Sequence, residues 1–160
     1  MKLRILGLGG LVALLGLLGW LLLRPSDGSS GTPVTEAEAR THLATLVAAG
    51  QAKDFEQLCS LAGAVLNCRR LLDEAGRDAV PADAPRVTSA TYHQGSDGGT
   101  PGWVLVVEGT DGKGKPYRTE VLIFRDDENR VVATNAVYWS NFKVYFGDPN
   151  GETSPDRSPG

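Results

Sequence analysis

Two cysteines, Cys59 and Cys68, are the side chains in this sequence best suited to covalent chemistry. On one continuous helix, the nine-residue separation would place them roughly 13 Å apart, which is too far for a disulfide. A bond between them therefore requires a turn, and Ala62-Gly63 is the obvious place. Redox enzymes usually carry C-x-x-C at a helix start, and this spacing does not match. We predict a structural disulfide, with free thiols and a redox site as the alternatives.

The sequence has two histidines, His42 and His93, that could act as bases or metal ligands. Neither belongs to an H-x-x-x-H pattern or a Cys/His cluster, so we predict no zinc site and no cofactor. His42 is expected at the edge of the buried face of a helix. His93 ends a predicted strand, where exposure to solvent is the simplest interpretation. If a cavity is present, the candidate pocket residues are Tyr92, His93, Tyr117 and Tyr138.

Two loops resemble binding motifs but lack the residues that those motifs need. Gly109 to Lys115 matches the start of a phosphate-binding loop, but Pro116 follows where Ser or Thr should hold magnesium and open a helix. Asp126-Asp127-Glu128 has carboxylates enough for calcium but lacks the D-x-D-x-D-G spacing. We predict hairpin turns at both places and assign no catalytic, cofactor-binding or metal-binding residue.

The hydrophobic stretch from Leu3 to Leu23 predicts where the rest of the chain is located. It holds one charge, Arg4, and at about 1.5 Å per residue a helix of this length reaches roughly 30 Å, enough to span a bilayer core. The basic residues before it place the N-terminus in the cytoplasm, so we predict a single-pass plasma-membrane protein with an extracytoplasmic domain. A cleaved signal peptide is the alternative, although its apolar region is normally about 7–15 residues.

Composition divides the chain into an anchor (1–24), a Gly/Ser/Pro-rich flexible tether (25–33), one domain (34–147) and a disordered tail (148–160). Beyond the anchor the formal charge is −6, from 13 basic and 19 acidic side chains. A negative net charge does not attract nucleic acid or anionic lipid headgroups, and we exclude both as principal partners. The expected partners are the membrane, through the anchor, and an unknown protein near its surface; a homodimer is a further option.

Helical spacing comes first in the domain, and β-rich runs follow it. Thr35-x-x-Glu38 is a capping box that opens a helix ending near Gly50, and further helices begin at Asp54 and Asn67. The predicted strands are Arg86–His93, Trp103–Glu108, Tyr117–Arg125 and Arg130–Trp139. Short Gly/Asp-rich loops favour an antiparallel meander, so we predict an α+β fold with two to three helices on one face of a curved four-stranded sheet.

Both alternating positions of the strand Trp103–Glu108 are apolar, which predicts that the second sheet face is partly buried. Aromatic residues near the C-terminus could supply the cover. Burial in the core is the simplest interpretation of these residues, and an exposed contact surface or dimer interface is the alternative. They are Tyr138, Trp139, Phe142, Tyr145 and Phe146.

The passage Ala48-Ala49-Gly50-Gln51-Ala52-Lys53-Asp54-Phe55-x-x-Leu58-Cys59, between a capped helix and a meander, resembles the NTF2-like (cystatin-like α+β) superfamily. It is similar to small exported, membrane-anchored actinobacterial members of unknown function, and the resemblance covers about Val34 to Trp139. It implies a cavity between helices and a concave sheet, which hosts an acid/base pair in isomerase-like members and nothing in scaffold-like ones. Membrane-anchored members include assembly components of secretion and conjugation machines.

No convincing Asp–Tyr or Asp–His pair points inward from neighbouring predicted strands. We therefore expect a membrane-tethered, non-catalytic domain that serves in protein interaction or assembly. The alternative is a small-ligand binder, or an isomerase- or hydrolase-like enzyme that uses an NTF2-like cavity.

Overall fold

The computed structural model describes residues 32–95 and 100–144. They form three helices, α1 (Glu36–Gln51), α2 (Phe55–Ser60) and α3 (Val65–Ala75), followed by a single 3₁₀ turn at Arg77–Ala79. Four strands complete the domain: β1 (Arg86–His93), β2 (Gly102–Thr110), β3 (Pro116–Arg125) and β4 (Val131–Ala133). The strands are antiparallel in the order β1-β2-β3-β4, which confirms the predicted α+β class and meander.

No helix within residues 32–95 and 100–144 is long and apolar enough to cross a membrane. The predicted anchor, almost all of the tether, and the tail lie outside the described residues. The same holds for Tyr145 and Phe146 in the set of C-terminal aromatics.

The start of α1 follows the sequence prediction. The Thr35 hydroxyl accepts a hydrogen bond from the Glu38 amide at 3.2 Å, and the Glu38 carboxylate accepts one from the Thr35 amide at 2.9 Å. At the other end, α1 ends at Gln51, one residue after the predicted stop at Gly50, and Lys53 follows with a left-handed φ of 57°. The glycine serves packing, because a β-carbon at that position would lie 3.2 Å from the Tyr138 ring.

The middle of the domain is a pair of short helices joined by a disulfide. Asp54 caps α2 as predicted, accepting a hydrogen bond from the Gln57 amide at 3.0 Å, whereas α3 begins at Val65, two residues before the predicted start. The predicted bond between Cys59 and Cys68 is present, with Cα atoms 5.5 Å apart and the turn at residues 61–64 between them. Both cysteines are buried.

The predicted fourth strand, Arg130–Trp139, is wrong in its extent, because β4 ends at Ala133. Asn135 turns the chain out of the sheet. Its buried side chain accepts from the Val137 amide at 2.9 Å and donates to the Ser140 hydroxyl at 2.9 Å and to the Val137 carbonyl at 3.2 Å. The amide and the carbonyl of Val137 are thereby bonded to the Asn135 side chain.

The main core lies between the helices and the sheet face that carries Leu105, Val107, Val121 and Ile123. Of the C-terminal aromatics, Tyr138 and Trp139 are buried in this core and Phe142 packs partly buried against it, as the simplest interpretation predicted. The opposite face of the sheet holds buried Val106, Leu122 and Val132, which confirms the predicted partial burial of the second face.

The beginning of the domain is fixed to one end of the sheet by two side chains. Arg125, the last residue of β3, donates to the Thr32 carbonyl at 2.9 Å and to the Glu38 carboxylate at 2.5 Å. Trp103 donates its indole N–H to the Val34 carbonyl at 3.0 Å. The chain therefore enters the domain at the carboxyl end of β3, and we call this end of the sheet the entry end.

Replacing both cysteines, as Cys59→Ala/Cys68→Ala, is expected to lower the free energy of unfolding by about 2–3 kcal/mol, the chain-entropy value for so short a loop. Urea unfolding under non-reducing conditions measures the difference. Ser60→Ala, at an exposed position beside the disulfide, is the control and should stay within about 0.5 kcal/mol of the parent protein. A double variant as stable as the parent would show that the bond does not contribute to stability.

Candidate functional site

The structure separates the four candidate pocket residues into two pairs. Tyr92 packs edge-on against Trp103 near the entry end, with ring centroids 5.6 Å apart, and His93 follows it on the other sheet face. Tyr117 and Tyr138 meet near the opposite end, with ring centroids 6.4 Å apart. Trp103 and Gly109, the β2 partners of Tyr92 and Tyr117, are six residues apart, or roughly 20 Å. The four side chains therefore do not line one pocket.

The hydroxyls of Tyr117 and Tyr138 are both buried without a hydrogen-bond partner in the described structure. Tyr117 lies over its cross-strand partner Gly109, where a β-carbon would be 2.6 Å from the hydroxyl, so this close packing needs a glycine. Burial raises the pKa of Tyr117 to about 12. The pKa of Tyr138 is also raised, first by burial and then by the Tyr117 hydroxyl. Both phenols are therefore neutral donors at neutral pH.

The two histidines have different surroundings. His42 is buried on α1, and its Nε2–H donates to the Leu61 carbonyl at 3.1 Å, which ties α1 to the turn after α2. Burial lowers the pKa of His42, an effect that this hydrogen bond partly offsets. His93 is half-buried, and its Nδ1 accepts a hydrogen bond from the Gly95 amide at 3.1 Å.

A row of three charged residues crosses the sheet at the end opposite the entry end. Glu108 on β2 is the direct cross-strand partner of Arg86 on β1 and of Arg118 on β3. One carboxylate oxygen bonds Arg86 at 3.0 Å, and the other bonds Arg118. We call these three residues the arginine–glutamate row. Opposite charges in adjacent positions stabilise the sheet, and they also hold two guanidinium groups at a fixed separation.

The arginine–glutamate row borders an open cleft of about 730 Å³. Asp83 and Ala84 lie on one side of it and Asn141 on the other, and Tyr117 is also in its lining. The Asn141 side chain accepts a hydrogen bond from the Arg118 amide at 3.0 Å, which fixes this side of the cleft to β3. The cleft therefore presents donors from two arginines beside a carboxylate, a set suited to binding a polar or anionic group.

Sequence reasoning missed the arginine–glutamate row, although the hairpin contains its signal. Glu108 and Arg118 are equally far from Lys113, the centre of the turn, so a symmetric hairpin must pair them. That turn is the G-x4-G-K stretch, where Asp111 accepts from the amides of Lys113 and Lys115, and it is a hairpin turn as predicted. Among residues 32–95 and 100–144, no group of His, Cys, Asp and Glu is arranged to hold a metal ion.

No family model, curated protein or solved structure matches this chain. The resemblance to the NTF2-like superfamily therefore rests on the sequence passage and the order of elements alone.

The paired tyrosine hydroxyls predict a specific alkaline response. In the unfolded chain, tyrosines lose their phenolic protons above about pH 10, whereas folded Tyr117 keeps its proton until about pH 12. The free energy of unfolding should therefore fall as the pH rises across this interval. Each such tyrosine contributes up to about 1.4 kcal/mol per pH unit. Tyr117→Phe/Tyr138→Phe should flatten the fall and leave stability at pH 7 unchanged or higher, because it removes unpaired buried hydroxyls. A loss of stability above about 1 kcal/mol at pH 7 would contradict this and indicate that the two hydroxyls have a hydrogen-bond partner.

His42 predicts a response on the acid side. Its folded pKa lies below the unfolded value of 6.5, so the full contribution to stability is present above pH 6.5 and is lost as the pH falls from there. His42→Gln keeps a donor for the Leu61 carbonyl and cannot titrate. Denaturant unfolding between pH 7 and 5 should show a smaller pH dependence for this variant than for the parent. Thr41→Ala, on the exposed side of α1, is the control; equal slopes in His42→Gln and the parent would refute the assignment.

Proposed function

We propose that this protein is a membrane-tethered, extracytoplasmic, non-catalytic domain that binds a protein partner near the membrane surface through the cleft beside the arginine–glutamate row. The observation that carries the proposal is the position of this row at the end of the sheet opposite the entry end. The tether and the binding surface then lie at opposite ends of the domain.

The packing between helices and sheet supports a non-catalytic role. An NTF2-like cavity would lie in this layer, and large apolar side chains that are essentially inaccessible to solvent fill it here. They are Leu46, Leu58, Leu72, Leu105 and Ile123. Such packing is typical of a scaffold, because a catalytic cavity needs space beside its acid and base.

The length of β3 supports accessibility of the cleft. Arg118 and Arg125 are seven residues apart on this strand, or roughly 23 Å. Arg125 holds the entry of the chain, so a membrane anchor would keep that end of the domain near the bilayer. The cleft then faces away from the attachment point, where a partner can reach it.

The geometry of the row indicates the chemistry of the partner. The side chains of Arg86 and Arg118 are 78% and 60% exposed, and each bonds Glu108 through one nitrogen. Guanidinium has five N–H donors, so most of them face the cleft or solvent, already oriented by Glu108. A carboxylate side chain on the partner can accept two parallel hydrogen bonds from such a group. We therefore propose that the partner presents Asp or Glu to this surface.

A small anionic ligand is the second candidate for the cleft, and the volume of about 730 Å³ is the observation that favours it, since pockets for small ligands have this size. The same arginines would bind it. The two candidates differ in whether the bound species is a polypeptide.

Photo-crosslinking in the native membrane tests the proposal. A photoreactive residue at Thr110, on the rim of the cleft, in the full-length chain should capture one protein, with the adduct formed on a segment that contains Asp or Glu. Arg86→Ala/Arg118→Ala should reduce the adduct about tenfold or more, since two charge-assisted contacts are lost. The same photoreactive residue at Ala44, exposed on α1, is the site control, and Arg40→Ala is the charge control.

Two results would overturn the proposed function. An adduct of undiminished yield in the double arginine variant would remove the cleft from the interaction. A protein adduct absent at Thr110, together with a small molecule retained in native mass spectra and lost in the double variant, would favour the second candidate.

A further inference from the structure

Val65 and Leu66 are the exposed large hydrophobic residues in the described part of the chain, with 41% and 81% of their surface accessible. They form the first turn of α3, and we call them the α3 apolar turn. Helix starts in water normally carry Ser, Thr, Asp or Asn, which cap the free amides. Here Ala64 is the N-cap residue and no side chain caps the helix. The residue types at this position are therefore not explained by the stability of the helix.

The α3 apolar turn follows directly on a segment that is fixed to the entry end. The Gly63 amide donates to the Ala133 carbonyl at 2.9 Å, and a β-carbon on Gly63 would lie 3.2 Å from the Phe124 ring. Phe124 precedes Arg125, which holds the Thr32 carbonyl. The segment leading into α3 and the entry of the chain therefore contact adjacent residues at the same end of β3.

The chain outside the described residues limits how far this end can be from a membrane. The predicted anchor ends at Arg24, and Thr32 is the first residue that the domain holds. Eight peptide steps separate them, which span about 28 Å when fully extended. A domain attached through so short a segment keeps its entry end within reach of the headgroup region.

The face of α3 behind the apolar turn carries two arginines, followed one turn later by Asp73 and Glu74. Arg69 and Arg70 lie three and four residues after Leu66, hence on the same side of the helix, and both are exposed. Arg70 bonds Glu74 and Asn67. Apolar residues at the tip with arginines one turn behind are the arrangement by which interfacial helices place methyl groups below the headgroups and guanidinium groups among them.

Acidic residues also lie at the entry end, so charge does not drive the contact. The β3–β4 turn carries Asp126, Asp127 and Glu128, and Asp126 and Glu128 are ion-paired with Arg130. Acidic and basic side chains are mixed here, and burial of apolar surface is the remaining attractive force. The contact should therefore depend little on the charge of the lipids.

We propose that the α3 apolar turn inserts Val65 and Leu66 into the interface of the membrane that holds the chain's own anchor. The proposal rests on the membrane tether in the proposed function and is independent of the partner at the cleft. The contact adds a second attachment point to the anchor and restricts rotation of the domain. The arginine–glutamate row is then presented away from the bilayer in a defined orientation.

Nuclear magnetic resonance of the full-length protein in phosphatidylcholine nanodiscs tests the inference. A gadolinium chelate on a fraction of the lipid headgroups should enhance relaxation of the amides of residues 64–67 at least threefold more than that of residues 111–114 in the β2–β3 turn. Leu66→Asp should remove most of this difference, because a charged side chain resists insertion. Thr110→Asp, at the opposite end, is the matched control, and adding phosphatidylglycerol should leave the pattern unchanged.

The outcomes separate this inference from the proposed function. Equal enhancement at both ends in protein that remains inserted would overturn the lipid contact and leave the tether intact. Protein that does not co-float with the bilayer would refute the tether and the lipid contact with it. Sedimentation could instead detect a dimer that Leu66→Asp dissociates, together with equal relaxation enhancement at both ends. That result would assign the α3 apolar turn to contact with a second copy of the chain and would overturn the inference.

Discussion

The register of the β2–β3 hairpin is the constraint on which the remaining structure depends. Nine consecutive pairs, from Gly102–Phe124 to Thr110–Pro116, fix which side chains face the helices. A slip of one residue would turn Leu105 and Val107 away from the core and bring Glu108 into it. Asp111 fixes the register locally, because its carboxylate accepts from two amides of the turn, at 2.9 and 2.8 Å. This turn determines both the core and the position of the arginine–glutamate row.

Elements with strong local signals could be predicted from the sequence, and those decided by packing could not. The capping box at Thr35, the cap at Asp54 and the whole of β1 match the structure because neighbouring residues determine them. β4 is shorter than predicted because the hydrogen bonds of Asn135 form with the turn that follows, and a β-rich composition does not reveal them. Gly50 lies next to the end of α1, as its sequence predicts, but its close contact with the ring of Tyr138 depends on tertiary packing.

The candidate site was less predictable, because it depends on the register and on tertiary contacts. Tyr117 and Tyr138 share a place in the core, but Tyr92 and His93 are separated from them by most of the length of a strand. The role of an arginine likewise cannot be predicted from composition. Arg125 has a structural role, because it donates hydrogen bonds to Thr32, Glu38 and Asn129. Arg118 lies on the opposite face of the same strand and is largely exposed to solvent.

The disulfide connects the fold with the proposed contacts. The bond between Cys59 and Cys68 closes a loop that contains the whole α3 apolar turn, and the Gly63 amide fixes the same loop to β4. A surface that is already ordered loses less conformational entropy on binding than a free loop would, so two apolar side chains can contribute a useful contact. Stability alone does not require exposed Val65 and Leu66 inside a closed loop. If the α3 apolar turn inserts into the membrane, its fixed conformation explains both the disulfide between Cys59 and Cys68 and the exposure of Val65 and Leu66.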